Sequence, residues 1–195
     1  TEACELLVSR GADIEAKAQQ DWTALSGALF GNYVETAALL LNYGAKPPEN
    51  ALFGPCSAGH LEVVKLLIAH GADQGASHEG GWTPIGCAAG GGHVPVAEWL
   101  LDHGADINAP GSNAYTPLMT ALDGPQIPMI SFLLERGADV DATNHVGSTA
   151  LMLAVQRSNI EPVTLILDRK PDLEVVDRLG QTALSYAASW NRPEF

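Results

Sequence analysis

This sequence predicts an all-α solenoid, a row of similar helix–turn–helix units stacked side by side, and three observations carry that expectation. The first is a tripeptide on a fixed step: Gly-Ala-Asp stands at Gly11, Gly71, Gly104 and Gly137, the last three 33 residues apart. The second is a threonine twelve residues after each of those glycines, in Thr23-Ala24-Leu25, Thr83-Pro84-Ile85, Thr116-Pro117-Leu118 and Thr149-Ala150-Leu151; Thr182-Ala183-Leu184 keeps the same offset after the degenerate Lys170-Pro171-Asp172. The third is helical spacing of apolar residues between these motifs, Leu61, Val64, Leu67 and Ile68 in one copy and Val96, Trp99 and Leu100 in the next. The unbroken register makes residues 1–195 one elongated domain.

One unit can be built in chain order. Thr116 opens it, because a threonine hydroxyl accepts from the amides that a helix start leaves free, and Pro117 suits a first turn where no amide donor is needed. A short first helix is expected there, followed by small residues such as Ala121, or Ala88-Ala89 in the preceding copy, and a turn such as Gly90-Gly91-Gly92. A second helix comes next. Pro95, Pro128 and Pro162 fall at its start, where proline is tolerated. The glycine of Gly-Ala-Asp ends it, since glycine best takes the left-handed conformation of a helix C-terminus.

The step from Gly11 to Gly71 is 60, which divides as 33 to Gly44-Ala45-Lys46 and then 27, so one copy has lost six residues. Aligning Gly59-His60 with Gly92-His93 puts Asn50-Ala51-Leu52 at the Thr-Pro-Leu position and the loss between Ala45 and Asn50. The step, with Gly-Ala-Asp, Thr-Pro-Leu and Gly-His at fixed offsets, resembles the ankyrin repeat over essentially the whole chain in six registered copies. The resemblance implies an ankyrin-repeat solenoid in which residues such as Ile107 to Tyr115 form a projecting hairpin finger. It also implies protein partners held on the concave face by finger tips and the exposed side of the first helices.

The chain departs from the family pattern. The histidine usual after Thr-Pro-Leu is replaced by Ser26, Phe53, Gly86, Met119, Met152 and Ser185, which removes a polar network between repeats. The third copy begins with the shortened finger Lys46-Pro47-Pro48-Glu49 and places Gly54-Pro55 inside its expected first helix. There a proline deletes a hydrogen bond and clashes, at a cost of about 3 kcal/mol. That copy is the expected weak joint.

Such units cannot bury their apolar faces alone and are stabilised by their neighbours. Thr1 aligns with Leu61 and Phe195 with Val63, so the chain opens and closes inside repeats without polar caps and reads as a piece of a longer polypeptide. No run of eighteen apolar residues is present, so no membrane-spanning helix is expected. Three scattered cysteines, Cys4 at a core position of a second helix and Cys56 and Cys87 on first helices, read as reduced thiols in a cytoplasmic, intracellular setting. The formal net charge is -13, and no lysine or arginine occurs between Leu66 and Glu135. Phosphate contacts need clustered cations, so nucleic acid is disfavoured as a partner, and a protein with a basic surface would be steered in.

Catalytic chemistry finds no foothold, and the chain reads as a non-enzyme. His60 and His93 share one repeat position and His70 and His103 another, so the histidines recur because the unit recurs; no close metal-ligand spacing accompanies them. Gly90-Gly91-Gly92 lacks the following Lys-Ser/Thr of a phosphate loop. No cofactor is implied.

Recognition remains. The residue before each motif threonine is Trp22, Glu49, Trp82, Tyr115, Ser148 and Gln181 in turn, three of them aromatic. Finger candidates are Gln19, Gln20, Glu79, Asn113, His145 and Arg178, and on the exposed side of first helices stand Phe30, Asp123, Arg157 and Trp190. Exposed aromatics and arginines are what interface hot spots favour. Asn108, four residues after Gly104, sits in a context similar to that in which ankyrin asparagines are hydroxylated by 2-oxoglutarate-dependent enzymes. The expectation is a monomeric scaffold or adaptor that binds a protein partner on its concave face. The alternative left open is a regulatory or targeting appendage of a larger enzyme.

Overall fold

The threonines do what their register requires. In a computed structural model, describing residues 1–18, 22–77, 80–124, 126–157 and 159–189, Thr23, Thr83, Thr116 and Thr149 each accept on Oγ1 from the amide three residues on, at 3.1 to 3.3 Å. Thr182 does the same for Ser185 at 3.2 Å. Among the described residues the helices are α1 (Glu2–Ser9), α2 (Ala24–Phe30), α3 (Val34–Asn42), α4 (Phe53–Ala58), α5 (Leu61–Ala69), α6 (Pro84–Gly91), α7 (Val94–Asp102), α8 (Pro117–Ala121), α9 (Ile127–Glu135), α10 (Ala150–Gln156), α11 (Ile160–Leu167) and α12 (Ala183–Ser189). Even-numbered helices are the first helices of their copies and odd-numbered ones the second. Each first helix packs on the next first helix along the row, and each second helix on the next second helix.

Second helices end as expected. Gly71, at φ +88°, donates to the Ile68 carbonyl while Ala72 donates to Leu67, the double bond of a left-handed glycine stop. Lys170 takes the same left-handed role at φ +55° in the copy that has no glycine there. The aspartate two residues after the stop then turns the chain: Asp13, Asp73, Asp106, Asp139 and Asp172 each accept on Oδ1 from the amide two residues ahead.

Four of the six positions left by the family's histidine are filled in two ways. Met119 and Met152 are buried and pack in the core, replacing polar contacts by apolar ones. Ser26 and Ser185 turn back to Thr23 and Thr182, with hydroxyl separations of 3.1 and 2.9 Å. The lost network is exchanged for packing and for a local bond.

The structure corrects two expectations. Pro55 does not break its helix, because α4 begins at Phe53, two residues after the register position Ala51. Pro55 therefore lies in the first turn, where an amide would have no helical acceptor, and the expected penalty of about 3 kcal/mol does not arise. Its neighbours Ala51, Leu52 and Cys56 are as buried as their counterparts. Cys4 is half-buried rather than core, on a helix α1 with no fully buried side chain.

What the third copy does lack is fastening. Asn50 stands at the threonine position, and α4 has no side-chain cap. Elsewhere a side chain beyond the aspartate turn bridges to the next copy: Glu15 accepts from the Lys46 amide at 2.8 Å, and Asn108 and Asp141 accept from the Asp139 and Asp172 amides at 2.9 Å. Gln74 donates to the His103 carbonyl. Among the described residues no such bridge leaves the stub Lys46–Glu49, which offers Pro47 and Pro48 instead. The copies that carry Asn144 and Asp177 are the opposite case. Asn144 and Asp177 each take two finger amides on one carboxamide or carboxylate oxygen, at 2.8 to 3.0 Å, and Tyr186 donates its hydroxyl to Asp177 at 2.5 Å.

Two outcomes are expected. Amides of the segment 51–57 exchange about fivefold or more faster than those of the matching segment 84–90, a lost cap being worth about 1 kcal/mol; equal protection by hydrogen exchange would refute this. Burial pushes the Asp177 carboxyl up, but bonds from Tyr186, Gln181 and Leu179 outweigh it and hold the pKa below the usual value. A depressed carboxylate contributes stability above its unfolded pKa, about 4, and loses it as pH falls through the folded one. Asp177→Ala should then cost about 2 kcal/mol in denaturant titrations at neutral pH, and the gap to the parent chain should close toward acid; an acid-independent gap would contradict it.

Candidate interaction surface

First helices and fingers together make one long face, and its aromatic row is formed by the residue before the motif threonine in three copies. Trp22 and Trp82 are 45% and 46% exposed, and Tyr115 is half-buried. The row stops there, since Ser148 is buried. Phe30, at the end of α2, is 79% exposed and meets the Trp22 ring edge-on at a centroid distance of 5.9 Å. These two rings brace one another and leave their outer faces to solvent.

Between the aromatics runs a chain of three depressions. One of about 690 Å³ lies between Trp22, Phe30 and Pro48; one of about 600 Å³ lies between Phe53, Trp82 and Asp123; a smaller one of about 230 Å³ lies between Trp82, Asn113 and Tyr115. The first two share Asn50 and Gly54, and the last two share Trp82, Thr120 and Asp123, so they form one continuous groove. Its floor is made by what is missing. Where α2 carries Phe30, the same position holds Ser57 on α4 and Gly90 on α6, and Gly54 adds a further gap. That pattern of small residues is visible in the sequence, yet the aromatic row drew the eye from it.

Cys87 lines the middle depression, and burial pushes its thiol up to about 11. Cys56, deeper in the core, is pushed up further by burial and by its proximity to Cys87. Both are protonated and unreactive at neutral pH. All three cysteines are free thiols.

The other sequence-singled residues fall in different places. Asn113 and His145 are exposed and joined through the backbone, the His145 amide donating to the Asn113 carbonyl at 2.8 Å. Arg178 is exposed on the next finger, its amide bonded to the Val146 carbonyl at 2.9 Å. Arg157 reaches the face but is paired with Asp123 one copy back and donates to the Leu153 carbonyl at 3.3 Å. Opposite charges one repeat and one residue apart are the signal of that pair in the sequence. Asn108 is half-buried, its Oδ1 held by the Asp139 amide. Gln19, Gln20, Glu79 and Trp190 lie outside the described residues.

No reactive constellation accompanies the groove. Among the described residues no group of three or more His, Cys, Asp or Glu side chains could hold a metal ion. The histidines serve helix ends and joints: His70 and His103 give Nδ1–H to the Leu66 and Trp99 carbonyls at 2.9 and 2.8 Å, and His93 Nε2 bonds Ser57 of the preceding copy at 2.9 Å. His103 also stacks on Trp99 at 3.7 Å. No described helix is long and apolar enough to cross a membrane.

Stacked helix pairs joined by projecting fingers define a helical repeat solenoid. The chain belongs to the ankyrin repeat family, whose pattern matches residues 52–144 and 128–195 in three copies. It is also similar to the mouse ankyrin repeat and SOCS box protein 16, with 31% identity over 97 residues, covering 43% of this chain and 21% of that protein. The match therefore spans about a fifth of that relative. Members of the family are generally protein–protein interaction modules and typically non-catalytic.

Proposed function

We propose that this chain is a scaffold or adaptor module that binds a protein partner along the face of first helices and fingers, the concave side in this family. The observation that carries the reading is the continuous groove walled by Trp22, Trp82 and Tyr115 and floored by Gly54, Ser57 and Gly90. Its walls supply large rigid apolar surface, and its floor lets a partner's side chain approach the helix backbone. Asn113, His145 and Arg178 extend the surface at the finger tips as polar contacts. Phe30 lengthens it beyond Trp22.

A partner with a basic surface is part of the proposal. Asp73 and Asp106 turn the chain with no cationic partner among the described residues, whereas Glu98 and Asp102 are paired with Arg136 and Asp123 with Arg157. The attraction thus comes from fewer acids than the composition counts. Action as a monomer in an intracellular setting belongs to the same proposal, in keeping with the three free thiols. The full-length relative's name pairs ankyrin repeats with a SOCS box, which favours a module that recruits partners within a larger chain over an isolated catalyst. Hydroxylation of Asn108 is proposed on its sequence context; the Asp139 bridge would have to open for an enzyme to reach the side chain.

Replacing Trp82 and Tyr115 together by alanine should cost about 2 kcal/mol or more of partner binding, measured by calorimetry, if they are hot spots. Affinity unchanged in the folded double variant would sink the reading. Binding should also weaken as salt rises. For Asn108, peptide mass analysis of protein from its native host should find one oxygen added, and an unmodified peptide would remove that proposal.

A further inference from the structure

The finger row has a gap in it. In later copies the fingers stand shoulder to shoulder: His145 bonds Asn113, Arg178 bonds Val146, and a Cβ built on Gly81 would lie 2.7 Å from the Ser112 Cα. The third copy has only Lys46 to Glu49 where the sixth has the ten residues Asp139 to Ser148. The missing hairpin leaves a cavity of about 730 Å³ between the stub and the following finger, lined by Pro47, Pro48, Glu49, Phe53, Asp73 and Ala76 among others. This cavity shares Asn50 and Phe53 with the middle depression, so it opens onto the groove.

Its chemistry is one-sided. Pro47, Pro48, Phe53 and Ala76 give it apolar walls, and its charged lining residues are Glu49 and Asp73, both exposed. Asp73 caps its own turn through the Gly75 amide at 2.8 Å, which leaves the carboxylate charge in place. Among the described residues no cation lies within ion-pair distance of either carboxylate.

We infer that this notch seats an extended segment of a partner protein that takes the place of the missing finger and directs a lysine or arginine to Glu49 and Asp73. The inference rests on the protein-binding reading above and names the partner's chemistry at one point of the same face. An extended chain fits because neighbouring fingers are joined by backbone N–H···O=C bonds, which a partner strand can make regardless of its sequence. A basic side chain fits because the two carboxylates would repel an acidic one and would lose solvation without return beside an apolar one.

The experiment selects a displayed library of random linear peptides on the whole chain, then titrates the recovered peptides by fluorescence anisotropy. Three variants are compared: residues 46–49 replaced by the sequence of 139–148, Glu49→Gln with Asp73→Asn, and Trp82→Ala with Tyr115→Ala. Circular dichroism checks each fold, and the charge variant keeps the surface shape should the graft fold poorly. Recovered peptides are expected to carry lysine or arginine, to lose binding on the grafted chain, and to weaken about two- to fivefold for each carboxylate removed. Failure to enrich any peptide would overturn the inference, as would binding that survives both the graft and the charge variant. Binding lost only with Trp82→Ala and Tyr115→Ala would also overturn it, while leaving the protein-binding reading in force.

Discussion

Every copy in this chain is covered by its neighbour, and the rest of the structure follows from that dependence. Leu25, Leu52, Ile85, Leu118 and Leu151 stand at one repeat position and are all buried, each on or at the start of a first helix that packs against the first helices beside it. At the same position Leu184 is 74% exposed. A leucine gains roughly 2 kcal/mol by leaving water, so the row of them ties the stability of each copy to the presence of the next. Fingers, caps and groove are arranged around a core that no single copy owns.

Much of this was legible because the chain writes the same instructions repeatedly. The threonine caps, the left-handed glycines and the second-helix prolines are local devices whose partners lie within a few residues, and local devices can be read from sequence. Errors arose where the outcome depended on where an element starts or what crosses between copies. Pro55 looked like a break until the helix was seen to begin at Phe53, which moved the proline into a turn that tolerates it. The shortened copy keeps an intact helix, and among the described residues it differs from the others in lacking a side-chain cap and a bridge at the finger edge. Of the interaction face, Trp22 and Trp82 are exposed and Tyr115 is half-buried, and the groove floor is hard to read from sequence because it consists of missing side chains. Arg157, expected at the contact surface, is engaged by Asp123 one copy back.

The acidic character of the chain also divides on inspection. Five aspartates, one per finger, are used to bend the backbone, and others neutralise the arginines of the neighbouring copy. Arg136 is held by Glu98 and Asp102 and lies 5.4 Å from the Phe132 ring centroid, which fixes the outer surface of α7 and α9. Part of the acidic excess behind the formal charge of -13 thus also serves the architecture, and Glu49 and Asp73 are exposed beside the shortened finger.

The bridges that leave the aspartate turns have a mechanical meaning. Glu15, Gln74, Asn108 and Asp141 each tie one copy to the next at the finger edge, while the helices meet through buried apolar contacts and a few polar ones. Three steps are held by short carboxylate or carboxamide bonds to a backbone amide, one by the longer arm of Gln74, and the step leaving the proline stub by no such bond among the described residues. At the finger edge the array is therefore fastened unevenly, and at the stub the joint rests on the helices, α4 against α6 and His93 Nε2 against the Ser57 carbonyl at 2.9 Å.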